Sequence, residues 1–134
     1  MFLHFLQSKE QKIAFLDLAN LVAEGDGFVN PKERSLIREL MAEINIEPTE
    51  YNYDGKRSME EIIGCLEDVR LKQLFFTEIM LLIYADGDYN DEEKQLAVKL
   101  QQLFGISDQV YNAVKDWVIR LDRMKIEGIK LILS

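Results

Sequence analysis

Cysteine, histidine and proline are nearly absent from this chain. Cys65 is the only cysteine, so no intrachain disulfide can form and no thiolate cage can hold a metal. Within Ile63-Gly64-Cys65-Leu66 the thiol is expected to be a small buried residue with nothing beside it to activate it. His4 is the sole histidine and lies in the N-terminal lead segment, away from any recognisable catalytic pattern. Of the two prolines, Pro31 falls where a helix would begin. The longest apolar run, Ile79 to Ala85, is far too short to span a bilayer, so no membrane insertion is expected. The start, Met1 to Leu6, is apolar but has no basic region and no small-residue cleavage site, so no signal peptide is expected. Positive charge is also short: 16 Lys and Arg face 24 Asp and Glu, for a net charge of −8. An acidic surface repels nucleic-acid phosphates and anionic lipid and suits cations or basic protein surfaces better. A cytoplasmic location follows as the expectation.

What the chain does have is apolar residues at three- and four-residue steps along almost its whole length, the helix period. At 134 residues, 48% hydrophobic and 30% charged, it reads as one globular domain, 1–134, able to bury a core without staples. The first helix is expected after Ser8, with Ile13, Leu16, Ala19 or Asn20 and Ala23 on one face and Gly25 and Gly27 as the stop. The second opens at Asn30 with Pro31 in the first turn. It buries Leu36, Ile37, Leu40, Met41 and Ile44 and ends at a left-handed Asn45. Residues 46–57 are irregular, with a short helical piece around Thr49 to Tyr53. Ser58 and Glu61 form a capping box for a short helix to about Leu66, and Asp68 caps the next. Leu74 to Ala85 is apolar except at Thr77 and Glu78, which marks a central, buried helix. Asn90 caps a helix buried through Leu96, Ala97, Leu100, Leu103 and Phe104 and stopped by Gly105. Ser107 caps another, lined by Val110, Val114, Trp117, Val118 and Leu121, with Trp117 as a core anchor. Met124 to Leu133 is a last apolar piece, helical or extended, that packs with the apolar N-terminus or else is open to a partner or a homodimer.

The chain also contains itself twice. Residues 12–52 and 72–112 align without a gap, and twelve positions are identical: Lys12/Lys72, Phe15/Phe75, Leu21/Leu81, Asp26/Asp86, Gly27/Gly87, Asn30/Asn90, Glu33/Glu93, Leu36/Leu96, Leu40/Leu100, Ile46/Ile106, Tyr51/Tyr111 and Asn52/Asn112. Unrelated segments of this length would share roughly two or three, so the chain carries an internal duplication. The fold expected is all-α, six to seven helices in two duplicated halves with pseudo-two-fold packing. Tyr51 and Tyr111 are expected to bury their rings and expose their hydroxyls.

The polar part of the repeat is Asp-Gly-x-x-Asn-x-x-Glu. With Gly27 at position 6 of a calcium loop, Asp26 falls at 5, Asn30 at 9 and Glu33 at 12; Asp86, Asn90 and Glu93 match in the second copy. Position 1 would be Val22 or Leu82, so the front half of an EF-hand is missing and the EF-hand fold is rejected. Two explanations of the loops remain. In one, Asn30 and Asn90 cap helices, Glu33 and Glu93 reach back to the cap, and Asp26 and Asp86 suit the turn and the helix dipole. In the other, Asp26, Glu33, Asp86 and Glu93 converge on a divalent cation, with Glu24 and Asp88 as additional candidates. Ca²⁺, Mg²⁺ and Mn²⁺ favour such oxygen ligands, and the lack of histidine or cysteine in the loops counts against zinc. No organic cofactor is implied.

At these loops the chain resembles the TerB-like family, named for the tellurite resistance protein B. The pattern is Ala/Gly-Asp-Gly-x-apolar-x-x-x-Glu between two long helices. It stands as Gly25-Asp26-Gly27-Phe28-Val29-Asn30-Pro31-Lys32-Glu33 and again as Ala85-Asp86-Gly87-Asp88-Tyr89-Asn90-Asp91-Glu92-Glu93, with Gly25 where alanine is usual. The helical frame from about Gln11 to Leu121 is similar to the family's all-helical repeated domain. The resemblance implies a non-enzymatic bacterial domain of tellurite and stress-response systems, with metal held by Asp26, Glu33, Asp86 and Glu93.

Three function classes follow. The first is a non-enzymatic acidic module binding a divalent cation and a partner protein. The second is a pure interaction or structural module whose loops only cap helices. The third, a carboxylate-based hydrolase, has the least behind it, because no nucleophile–base constellation, phosphate loop or nucleotide fingerprint can be drawn.

Overall fold

A computed structural model of the chain describes residues 2–23, 31–51, 57–84 and 91–134, with side chains from residue 35 in the second segment. The described residues are all-α, as the periodicity requires, with no strand among them. The helices are α1 (Lys9–Ala23), α2 (Pro31–Glu43), α3 (Met59–Gly64), α4 (Val69–Ile83), α5 (Asp91–Phe104) and α6 (Asp108–Leu133). Two 3-10 turns, Leu3–Phe5 and Pro48–Glu50, complete the set.

Local chemistry sets most of these boundaries. Ser8 Oγ accepts from Gln11 N–H at 3.1 Å, while the Gln11 side chain accepts from Gln7 N–H at 3.2 Å. The reciprocal bond thus lands one residue before the cap. Ser58 is a fuller capping box: its Oγ accepts from Glu61 N–H at 3.1 Å and its hydroxyl donates to Glu61 Oε1 at 3.2 Å. Asp68 Oδ1 accepts from Arg70 N–H at 2.9 Å to open α4, and Ser107 Oγ accepts from Val110 N–H at 3.2 Å to open α6.

Two helices end alike. After α2, Asn45 takes φ 60°; its N–H reaches Ala42 O at 3.2 Å, and Ile46 N–H reaches Met41 O at 2.9 Å. After α5, Gly105 takes φ 66°; its N–H reaches Gln102 O at 3.1 Å, and Ile106 N–H reaches Gln101 O at 3.0 Å. Both are Schellman motifs, with an isoleucine following the left-handed residue. They sit at positions equivalent in the sequence repeat.

The chain divides into two compact units, Met1–Ile79 and Met80–Ser134, with the boundary inside α4. In the first, α1 packs against α2 and α3, and Phe15 of α1 meets Phe75 of α4 edge to face, ring centroids 5.3 Å apart. Having neighbours on several sides, α1 is buried at every position from Ala14 to Ala19, not along the single face expected. Leu3 and Leu6 are also buried, so the apolar N-terminus is folded in. Phe2 N–H donates to the Glu78 carboxylate and Leu3 N–H to Glu43 Oε1 at 3.3 Å. Glu78 is only 3% exposed, and a backbone donor offsets part of the cost of burying its carboxylate.

In the second unit Met80, Ile83, Tyr84, Ala97, Leu100, Phe104 and Val118 are buried. Trp117, expected as a core anchor, is only half-buried; the anchor of α6 is its neighbour Val118. An indole can keep one edge wet, which a valine cannot use. The helix runs without a break through Gly128, since one interior glycine costs about 1 kcal/mol and no proline follows. The piece from Met124 to Leu133 is therefore helical, and its apolar side chains are exposed, not packed.

Candidate functional site

Most of the loop residues fall outside the described set. Glu24, Asp26, Gly27 and Asn30 of the first copy lie outside it, as do Asp86, Gly87, Asp88 and Asn90 of the second. Glu33 is placed by its backbone in the first turn of α2, its side chain outside the described residues. Glu93 is described in full. It sits in the first turn of α5 beside Asp91 and Glu92. Those two are exposed, whereas Glu93 is half-buried and its Oε2 is shielded from solvent. Asp91 makes only a surface contact, 4.0 Å from Lys94 Nζ. Among the described residues no group of three or more His, Cys, Asp or Glu side chains is arranged to hold a metal ion.

A different polar constellation is built within the first unit, and the sequence pattern gave no sign of it. Asp17, in the middle of α1, is 8% exposed. Its Oδ1 accepts from the Tyr51 hydroxyl at 2.6 Å, and its Oδ2 accepts from Arg57 Nη2 at 2.6 Å and Nε at 3.2 Å. Asn20 Nδ2, one turn on, donates to Leu16 O at 2.9 Å and to the Tyr51 oxygen at 3.3 Å. Tyr51 thus accepts from Asn20 and donates to Asp17. Its hydroxyl is buried and bonded, contrary to the exposed hydroxyl expected, because a carboxylate waits inside to receive it. With Arg57 neutralising Asp17, this network clamps residues 51 and 57 onto α1. It fastens the chain at Tyr51 and at Arg57 to the helix, with both carboxylate oxygens already engaged.

Arg57 also lines an open groove of about 720 Å³ between the start of α1 and the α3–α4 junction. Lys9 lines it as well, along with Glu10, Glu67 and Asp68, so the walls are mixed in sign. Cys65 is on the rim and exposed. The expectation of a buried thiol is corrected here: α3 ends at Gly64, one residue earlier than Cys65, which puts Ile62, Ile63 and Leu66 inward and turns Cys65 out. His4 is exposed, its ring tilted against that of Phe5 with centroids 4.3 Å apart.

No protein-family model, curated protein or solved structure matches the chain. None of the described helices is long and apolar enough to cross a membrane.

Proposed function

We propose that the chain is a non-enzymatic, TerB-like helical module. In this reading it binds a divalent cation, Ca²⁺, Mg²⁺ or Mn²⁺, at its paired Asp-Gly-x-x-Asn-x-x-Glu loops. It acts on a partner protein in cytoplasmic signalling of the stress or tellurite-resistance type. Asp26, Glu33, Asp86 and Glu93 are the ligands, with Glu24 and Asp88 beside them, and the duplicated halves pack about a pseudo-two-fold that lets both loops serve one ion. The observation that carries this reading is the Asp-Gly-x-x-Asn-x-x-Glu loop that the chain retains twice, its second copy ending in Glu93. Of three successive acidic residues it alone is half-buried. A carboxylate at the twelfth position of such a loop is an oxygen ligand of the kind that hard cations favour.

The alternative is an interaction or structural module in which the loops are caps only. It is favoured by Ser58 and Glu61, which show this chain building a capping box at the same three-residue spacing that separates Asn90 from Glu93. Thermal unfolding separates the two. A bound cation raises Tm with concentration, and Asp86→Asn removes that rise. If the loops only cap helices, Tm is indifferent to the cation and Asp86→Asn shifts it equally with and without metal.

A further inference from the structure

The last third of α6 has a character unlike the rest of the chain. After Val118 no residue of the helix is buried. Leu131, Ile132 and Leu133 are 77%, 82% and 79% exposed, and Met124, Ile126 and Ile129 are exposed with them. The charges reverse sign here. Residues 117–134 hold Arg120, Arg123, Lys125 and Lys130 against Asp122 and Glu127, while the rest of the chain has twelve basic residues against twenty-two acidic.

We propose that this end of α6 docks on an anionic lipid surface. Arg120, Arg123, Glu127 and Lys130 follow one another at three- and four-residue steps and form a single polar stripe. Apolar residues border the stripe on both sides: Ile126, Ile129 and Leu133 on one, Met124 and Leu131 on the other. Lys125 lies within the apolar arc, where its stem can run along the surface and its ammonium reach a headgroup. A strongly amphipathic helix of low net hydrophobicity with basic residues on its polar face is the type that lies in a bilayer interface. At its tip three successive apolar residues occupy three directions around the axis. A protein groove covers one side of a helix, whereas acyl chains can close around a wide arc. A second copy of the helix would bring the same excess of positive charge, which an anionic surface attracts and another copy repels.

The contact is assigned to the C-terminal part of α6, where basic residues outnumber acidic ones four to two. Leu133 lies roughly four turns beyond Val118, the last buried residue of α6, about 22 Å along the helix axis. The contact is with the interface only, since no described helix can span the bilayer.

Co-sedimentation of the full chain with vesicles tests the proposal. The chain is expected to bind phosphatidylcholine vesicles containing about one-third phosphatidylglycerol at least about tenfold more tightly than phosphatidylcholine alone, and to be released by high salt. Ile132→Asp should abolish binding, and the Lys125→Glu, Lys130→Glu pair should weaken it by about tenfold or more. All three positions are exposed, so helicity and Tm are expected to hold, and circular dichroism checks that. Failure to bind the anionic vesicles, or equal binding to both kinds, overturns the proposal. So does light scattering that finds a dimer which Ile132→Asp converts to monomer, because the occupant is then a second copy.

Discussion

Asp17 joins α1 to two residues far along the chain, and its removal should be felt at both. Asp17→Ala leaves the Tyr51 hydroxyl and the Arg57 guanidinium without their acceptor. Because Arg57 is 39% exposed and can turn to water, the cost should be about 2–3 kcal/mol, below the range for a fully buried pair. Tyr51→Phe should cost about 1–2 kcal/mol. Denaturant unfolding of the two single variants and the double variant measures their coupling, expected near 1 kcal/mol in favour of the pair. Additive effects would mean that the 2.6 Å contact contributes nothing specific. This network was not legible in the sequence. Its partners lie 34 and 40 residues apart, beyond any local pattern, and a charge in mid-helix ordinarily marks a solvated face. The repeat gave no help either. At the equivalent positions of the second copy, Asp17 and Asn20 are replaced by Thr77 and Met80 and Tyr51 has its match in Tyr111, while Arg57 lies beyond the repeat. Thr77 turns its hydroxyl to Gln73 O at 2.8 Å, a bond within its own helix. The carboxylate at the centre of the clamp thus has no counterpart in the sequence of the second copy.

Helix termini were the most legible elements, because a cap is decided within three or four residues. Ser8, Ser58, Asp68 and Ser107 all cap as their spacing requires, and Asn45 and Gly105 take the left-handed conformation that stops α2 and α5. What failed was burial, which depends on distant neighbours: α1 is enclosed on more than one face, Cys65 points outward and Trp117 is only half-buried. Two glycines of the second unit give predictions of opposite sign. A Cβ meets nothing within 4 Å at either Gly105 or Gly128, so backbone conformation alone decides the effect. Gly105 has φ 66°, and Gly105→Ala should destabilise by about 1–2 kcal/mol. Gly128 is inside α6, and Gly128→Ala should stabilise the helix locally by about 0.5–1 kcal/mol. Hydrogen exchange of the α6 amides and thermal unfolding together read both changes. A stabilising Gly105→Ala would contradict the left-handed stop.

For the whole molecule, the all-helical architecture was visible in the periodicity and the want of strand patterns. The loops that bear on function were visible only as a repeated motif. Glu93 shows why sequence could not decide between cation and cap: three residues after an asparagine, the same carboxylate serves either purpose. The two accounts differ in how the molecule answers a ligand. Under cation binding, Glu93→Gln and Asp86→Asn should each lower affinity for the ion by tenfold or more, about 1.4 kcal/mol, while changing metal-free Tm by only a few degrees. Isothermal titration and thermal unfolding measure these separately. Under capping, Glu93→Gln should have little effect on either, since glutamine serves at the third position of a capping box.

The most direct measurement is a backbone amide NMR titration of the metal-stripped chain with Ca²⁺ and then Mg²⁺. We expect saturable shifts confined to residues 24–33 and 86–93, with both loops moving at the same metal concentration. Spectra unchanged at millimolar concentrations of both ions would contradict the cation-binding account and leave the loops as helix caps.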